Sequence, residues 1–181
     1  LGASTVRVWA GRCGSDKADT AYWQRVIDDS LRCADTAGSL GLDIACEFHR
    51  NTLTDSTEAA TRLLRHTLHP HRRIYWQPLQ MLTFEQQKQS LVAVVPDLAN
   101  IHVFHWGRDG ERLPLQSGRD RWAAFLELVS AEGDADYTAY LEFVQDNSTD
   151  QFREDAAVLR ELLKSVDKRS ETTRSKDQLS A

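Results

Sequence analysis

The sequence predicts an α/β protein with a parallel sheet. Short runs of β-branched and aromatic residues alternate five times with longer segments whose apolar residues recur at helical spacing. Such alternation is typical of parallel strands, because each connection between neighbouring parallel strands needs a crossover that is usually a helix. The chain of 181 residues holds nine glycines and four prolines, so collagen-like and wholly disordered proteins are excluded.

The predicted strands are short and rich in residues that favour extended backbone. They cover residues 5–10, 42–48, 74–77, 101–106 and 137–144. An amphipathic segment follows each of them, so every strand is expected to lead into a helix.

The five helices are predicted from apolar stripes and end signals. The first has its stripe between Trp23 and Ala34 and ends near two glycines at 38 and 41, which suit a helix C-terminus. Capping-box patterns at Asp55 and Thr83 mark the starts of the second and third. The stripes of the fourth and fifth lie within residues 122–129 and 152–166.

The number of units suggests an incomplete barrel. A complete (β/α)8 TIM barrel of eight units needs about 250 residues. The chain also begins Leu1-Gly-Ala-Ser-Thr5, without an initiator methionine, which is similar to the end of a helix and its loop. We therefore expect residues 1–166 to supply the C-terminal five units, with about three more upstream. A complete five-stranded doubly wound sheet is the alternative, and residues 167–181 are predicted to be a disordered polar tail.

The charge, apolar runs and cysteines of the sequence restrict the kinds of partner and the cellular compartment that we expect. Lys and Arg number 22 against 27 Asp and Glu, which gives a net charge of −5, and the longest basic stretch is His71-Arg72-Arg73, so nucleic acid is an unfavourable partner. No apolar run approaches the roughly 20 residues of a membrane span. Three widely spaced cysteines indicate neither a disulfide framework nor a zinc knuckle. We expect a cytoplasmic protein, and a homo-oligomer is compatible with the sequence.

Polar residues stand at the carboxyl ends of four predicted strands. They are Glu47, Gln77, His105 and Glu142, and each follows the previous one by about the length of one strand–helix unit. Parallel strands place these ends at one rim, where two carboxylates, an amide oxygen and an imidazole would suit Mn²⁺, Co²⁺ or Mg²⁺. Alternatively, each residue ends its strand and bonds only to solvent or a loop.

Five more residues are candidates for binding a substrate. They are His49, Trp76, Trp106, Arg108 and Arg112, all at strand ends or in the loop that follows residue 106. An indole could stack on the apolar face of a ligand and an arginine could bind an anionic group, whereas core packing and a solvated loop are the alternatives.

Four segments resemble a known family in their order and spacing. Val6-Arg-Val-Trp-Ala-Gly11, Ala45-Cys-Glu-Phe-His49, His102-Val-Phe-His-Trp106 and Tyr140-Leu-Glu-Phe143 resemble the fourth, fifth, seventh and eighth strands of the xylose isomerase-like TIM barrels. That family includes sugar-phosphate isomerases, tagatose-type epimerases and hydroxypyruvate isomerases and, more distantly, the endonuclease IV group.

The resemblance implies a metal site and two catalytic glutamates. In the epimerase branch a glutamate, an aspartate, a histidine and a glutamate on strands five to eight bind the metal, and the two glutamates exchange the proton. The matching residues here are Glu47, His105 and Glu142. At the sixth strand this chain reads Gln77-Pro-Leu-Gln80, where the family often has aspartate and then histidine. A weaker site, a different metal or loss of the metal are all open.

The function implied is a metal-dependent isomerase or epimerase of a sugar or sugar phosphate. A metal would polarise the carbonyl and one glutamate would remove the neighbouring proton, giving an enediolate. One alternative is a non-catalytic carbohydrate-binding barrel. The other is a phosphodiesterase of the endonuclease IV type, against which Gln77, Gln80 and the net charge of −5 count.

Overall fold

A computed structural model describes residues 2–132 and 137–178, with side chains up to Val166. Strands and helices alternate along this part of the chain. The strands are β1 (Thr5–Val8), β2 (Asp43–Glu47), β3 (Arg72–Trp76), β4 (Leu98–Val103), β5 (His105–Trp106), β6 (Arg112–Leu113) and β7 (Thr138–Leu141). The helices are α1 (Thr20–Ser39), α2 (Thr57–His66), α3 (Phe84–Val92), α4 (Arg119–Glu132) and α5 (Thr149–Gln178).

The described chain divides into two compact units. The first consists of residues 2–101 and 137–138, and the second of residues 102–132 and 139–178. The main sheet has the strand order β1-β2-β3-β4-β7, and its first four strands pair in parallel. Parallel pairing joined by helices is the arrangement that the sequence predicts.

The first unit buries α1 against the sheet. Asp19 caps this helix, accepting a hydrogen bond from Tyr22 N at 2.7 Å. The stripe of Trp23 and Ile27 packs with Cys46 of β2 in one apolar cluster. At the other end Gly41 has a φ of +67°, so a glycine in the left-handed region follows the helix, as predicted.

The capping signals of α2 and α3 differ in how well they predict the structure. Thr83 and Gln86 form the reciprocal capping box that the sequence predicts for α3. In α2 the N-cap is Ser56, whose side chain accepts from Ala59 N, so this helix begins one residue later than a box at Asp55 would give.

Arg72 is a buried structural cation. It is 3% exposed. Its Nε and Nη2 donate to the carbonyls of Thr67 and Leu64 at 2.8 and 3.1 Å, and its Nη1 donates to Asp97 Oδ1 at 2.7 Å. The guanidinium therefore joins the end of α2 to the segment before β4.

Substituting Arg72→Met should lower the free energy of unfolding by about 2–3 kcal/mol, because two buried carbonyls and Asp97 lose their donor. Urea unfolding followed by circular dichroism measures the effect. Arg65→Met is the matched control, since this arginine is exposed and its Nε donates to Thr61 O of its own helix. Equal stability of the two variants would contradict the proposed joining role.

The second unit departs from the predicted fourth strand. Instead of one strand over residues 101–106, β4 ends at Val103 and Phe104 separates it from β5. β5 then pairs antiparallel with β6, with His105 opposite Leu113 and Trp106 opposite Arg112. The long loop predicted after residue 106 is therefore partly a hairpin, whose turn holds Gly110 at a φ of +81°.

Helix α5 also differs from the prediction. Leu159, Leu162 and Val166 are buried as the apolar stripe predicts, but Phe152 is 48% exposed. The predicted disordered tail is helical as far as Gln178, and residues 179–181 lie outside the described residues. Lysine, arginine, glutamate and glutamine are good helix formers, so an existing helix extends through them without a new nucleation step.

Among the described residues, no helix is both long enough and apolar enough to cross a lipid bilayer.

Candidate functional site

Glu47 is a buried carboxylate at the carboxyl end of β2. It is 3% exposed. Arg7 Nη1 and Trp9 Nε1 donate to its Oε2 at 2.6 and 2.5 Å, and Gln77 Nε2 lies 3.3 Å from its Oε1. Charge-assisted hydrogen bonds of this kind are short and fix the orientation of a carboxylate. Three donors, one of them a guanidinium, therefore hold the Glu47 carboxylate in place.

The donors converge on Glu47 because of strand geometry. Arg7 and Trp9 are two residues apart at the end of β1, so both side chains leave on one face. β1 pairs in parallel with β2, which brings that face beside Glu47. The Trp9 indole also stacks on the His49 ring, with centroids 4.7 Å apart and planes inclined by 23°. His49, a predicted substrate-binding residue, thus lies against the same group of side chains.

Gln77 acts as a donor in these contacts. Its Nε2 donates to Phe48 O at 2.9 Å as well as to Glu47 Oε1. The predicted metal contact would use the amide oxygen, and it stays a prediction. The amide nitrogen faces the carboxylate, so Gln77 donates a hydrogen bond to Glu47 and adds no charge of its own.

An open cleft of about 400 Å³ lies in the first unit beside this group. Arg7, Val8, Trp9, Gly11 and Arg12 line it. Gly11 has a φ of +79° and its Cα packs against the Tyr22 ring, where a Cβ would clash. The loop that carries Arg12 is therefore fixed close to helix α1.

In the second unit Glu142 lies beside His102. Its backbone N donates to Val103 O at 3.0 Å, and its Oε2 lies 3.3 Å from His102 Nδ1. The His102 side chain is 7% exposed and that of Glu142 is 32% exposed. Within the described part of the chain, Glu142 Oε2 is a buried oxygen that no hydrogen bond satisfies. A further ligand or proton could occupy this oxygen.

His105 does not end a strand of the main sheet, contrary to the prediction. It lies in β5, and its ring packs closely on Gly118, just before α4. Burial lowers the pKa of His105 and the charge of Arg121 lowers it further, whereas Glu111 opposes both effects. These surroundings favour a neutral imidazole.

Replacing His105 with glutamine should flatten the pH dependence of stability on the acid side. Because the pKa is lowered only in the folded protein, the unfolded chain binds a proton first as pH falls below about 6.5. Wild-type stability therefore decreases as pH falls through this range and towards the lowered pKa. Urea unfolding of both proteins at pH 7.5 and pH 5 measures the difference, and identical pH dependence would contradict the assignment.

Trp106, Phe104 and Phe143 form an aromatic cluster in the second unit. Ring centroids are 5.0 to 5.7 Å apart. Arg112 lies over Phe143 at 5.3 Å and donates to Asn147 Oδ1 at 2.8 Å. Trp106 and Arg112, both predicted to bind substrate, thus belong to one cluster.

Two other predicted substrate-binding residues have different surroundings. Trp76 is 0% exposed and donates to Ser90 Oγ at 3.0 Å, which agrees with the alternative of core packing, and its role in binding substrate stays a prediction. Its indole points to the opposite face of β3 from Gln77, where it packs under α3. Arg108 is exposed in the turn of the hairpin, and its predicted role stays a prediction.

The residues present fit a divalent ion in the second unit better than in the first. Two ligand atoms of one ion, each about 2.1 Å from it, lie roughly 3.0–3.4 Å apart, which the separation of His102 and Glu142 matches. Glu47 does not fit as it stands, because Arg7 already supplies a positive charge at its Oε2. Over the residues that the structure describes, no three His, Cys, Asp or Glu side chains form a metal cluster.

Sequence reasoning missed Arg7, Trp9 and His102. The sequence did contain a signal for Arg7 and Trp9. In the predicted strand these two large residues alternate with Val6 and Val8, so both lie on the face opposite the valines. For His102 the signal was its position between Ile101 and Val103, because strand alternation places its side chain on the face of β4 opposite these two apolar residues.

The comparisons with known proteins agree with this architecture. The family model described as "Xylose isomerase-like TIM barrel" matches residues 1–162. No curated protein matches the chain significantly. Several solved structures share the fold at low identity, so they show the fold alone.

Three of these structures illustrate the likeness. The probable 3-DHS dehydratase AsbF from Bacillus anthracis is 21% identical, with a TM-score of 0.74 over 87% of this chain and 63% of that one. An L-ribulose 3-epimerase is 13% identical, with a TM-score of 0.69 over 95% and 65%. A xylose isomerase-like TIM barrel protein from Mycobacterium smegmatis, in complex with magnesium, is 15% identical, with a TM-score of 0.65 over 82% and 53%.

The chain spans less than two thirds of the length of each of these proteins. The predicted TIM-barrel architecture is confirmed, in preference to the alternative prediction of a doubly wound sheet. By the family match over residues 1–162, the chain belongs to the xylose isomerase-like TIM barrel family.

Proposed function

We propose that this protein is a metal-dependent isomerase or epimerase of a sugar or sugar phosphate, acting by proton transfer through an enediolate. The observation that carries the proposal is the buried carboxyl group of Glu47, paired with Arg7 at the carboxyl end of β2. In (β/α) barrels this end of the strands carries the active site, so a buried carboxylate there suits a catalytic base.

Two carboxylates divide the proton transfer. Glu47, which Arg7 and Trp9 orient by hydrogen bonds to its Oε2, accepts a proton from the carbon next to the substrate carbonyl. Glu142 returns a proton to the neighbouring carbon or the opposite face. The buried Oε2 of Glu142, which has no hydrogen-bond partner among the described residues, supports this role.

His102 and Glu142 would hold the metal, and His105 would not. Mn²⁺, Co²⁺ or Mg²⁺, when bound, polarises the carbonyl and lowers the cost of the enediolate. The imidazole and carboxylate at 3.3 Å support this assignment. Gln77 then orients Glu47 through its amide nitrogen.

The remaining candidates position the substrate. His49, stacked on Trp9, donates to or accepts from a substrate hydroxyl near Glu47. Trp106 offers an apolar surface for the carbon skeleton, and Arg108 and Arg112 bind its polar end.

A second candidate is a carbohydrate-binding barrel without catalysis. The Arg7 guanidinium at Glu47 favours it, because this contact occupies the carboxylate that would serve as base or metal ligand. The two candidates share a ligand class and differ in whether a proton is exchanged.

Proton exchange with solvent separates the two candidates. The protein is incubated in D₂O with Mn²⁺ and a panel of ketoses and ketose phosphates, and proton NMR follows the signal next to the carbonyl. The enzyme should exchange this proton only when metal is present, and EDTA should stop the exchange. Saturation-transfer signals without exchange would support the binding barrel instead, and the absence of both would contradict both candidates.

A further inference from the structure

We propose that the cleft of the first unit, between Arg7 and Arg12, binds an oxyanionic group, either a phosphate or a carboxylate, of the substrate. The proposal rests on the proposed function and narrows its substrate class to anionic sugar derivatives. The cleft volume of about 400 Å³ accommodates a phosphate or carboxylate together with part of a sugar chain.

The charge of the cleft favours an anion. Arg7 and Arg12 contribute two guanidinium groups to its lining, and Glu47 balances one of them. The described residues include no carboxylate that pairs with the Arg12 side chain, and Arg12 is exposed. One positive charge in excess therefore faces the cleft, at a position that substrate can reach.

The walls of the cleft are fixed before any ligand arrives. The buried Glu47 carboxylate holds the Arg7 guanidinium and the Trp9 indole from one side, and His49 stacks on the indole from the other. Because these side chains are already ordered, binding an anion costs little additional conformational entropy.

The Arg12 segment is also anchored. The backbone N of Arg12 donates to Tyr22 Oη at 2.6 Å. Gly11 packs so closely on the Tyr22 ring that position 11 has no room for a side chain. The loop therefore presents Arg12 from a defined backbone position.

The combination of groups indicates the ligand class. Guanidinium groups bind phosphate and carboxylate by paired, charge-assisted hydrogen bonds. The exposed indole of Trp9 adds an apolar surface for the adjoining carbon chain. A neutral sugar would leave the excess charge of Arg12 unused, so an anionic derivative suits the cleft better.

The test titrates the full chain with inorganic phosphate and, separately, with acetate, at constant pH and ionic strength. Isothermal calorimetry measures the affinity, and tryptophan fluorescence reports on Trp9. Arg12→Gln should weaken binding at least tenfold, and Trp9→Phe should remove the fluorescence response. Arg65→Gln is the control. It removes the same charge from the last turn of α2, which does not line the cleft, and this variant should bind both anions as the wild type does.

Each outcome decides the proposal. Phosphate binding that depends on Arg12 supports a phosphate site, and acetate binding with the same dependence supports a carboxylate site. If neither anion binds, or if Arg65→Gln weakens binding as much as Arg12→Gln, the anion site is wrong. Arg7→Gln should also weaken anion binding, and Arg7→Lys, which keeps a cation beside Glu47, checks that this loss is not caused by disturbing that carboxylate.

Failure here and failure of the proposed function are distinguishable. Proton exchange on neutral ketoses needs Glu47 and Glu142 but no anion site. Persistent exchange without anion binding would therefore overturn this proposal alone.

Discussion

Replacing Glu142 with glutamine should reduce metal-dependent proton exchange by about 10²–10⁴-fold, because an amide cannot accept a proton at neutral pH. Glu47→Gln should reduce it as strongly. Proton NMR in D₂O measures both rates. Glu85→Gln and Glu161→Gln are matched controls, since both carboxylates are mostly exposed and paired with Lys88 and Arg119, respectively.

The Glu47→Gln and Glu142→Gln substitutions should differ in their effect on the free energy of unfolding. Glu47→Gln removes the charged acceptor of Arg7 and Trp9, so the free energy of unfolding should fall by about 1–2 kcal/mol. Glu142→Gln loses only the partly exposed contact with His102, so folding should change less. If either variant keeps near-wild-type exchange, that residue is not a base and the two-carboxylate scheme fails.

Much of the first unit follows from local signals in the sequence. The apolar stripe of α1 and the Thr83–Gln86 capping box of α3 involve residues within one or two helical turns. Such short-range patterns predict where helices begin and which face they bury. The strands β1, β2 and β3 were predicted to within a few residues for the same reason.

The break between β4 and β5 could not be predicted locally. Residues 101–106 form one continuous apolar and aromatic run, yet the strand ends at Val103 because His105 and Trp106 pair with Leu113 and Arg112. A pairing with residues six or eight positions further along cannot be recognised from the residues of the run itself. The prediction took His105, at the end of this run, as the histidine of the rim, whereas the structure places His102 beside Glu142.

The surroundings of Glu47 depend on contacts between distant residues. Arg7 is 40 positions away from Glu47 and Gln77 is 30 positions away. The sequence located Glu47 and Gln77 at strand ends, since polar residues there need an explanation. It could not show that Arg7 neutralises Glu47, because that contact depends on the register of β1 against β2.

Replacing Gln77 with aspartate should place a second carboxylate beside Glu47 and thereby add metal affinity in the first unit, so that Mn²⁺ or Mg²⁺ binds about tenfold more tightly or better, equivalent to roughly 1.4 kcal/mol. Hard divalent ions respond strongly to the charge of their ligands. In the absence of metal the same substitution should destabilise the fold by about 1–3 kcal/mol, because Phe48 O loses its donor and a second carboxylate faces Glu47. Added Mn²⁺ should therefore restore stability to the Gln77→Asp protein.

Gln77→Asn is the matched control, since it shortens the side chain equally and keeps the neutral amide. Calorimetric titration with Mn²⁺ and thermal unfolding with and without the metal should distinguish the two variants. Tighter binding and metal-dependent recovery only in Gln77→Asp would mean that position 77 reaches the ion and that Arg7 can be displaced from Glu47. Equal affinity in both variants would leave the ion with His102 and Glu142 alone, and no binding in either would favour the non-catalytic carbohydrate-binding barrel.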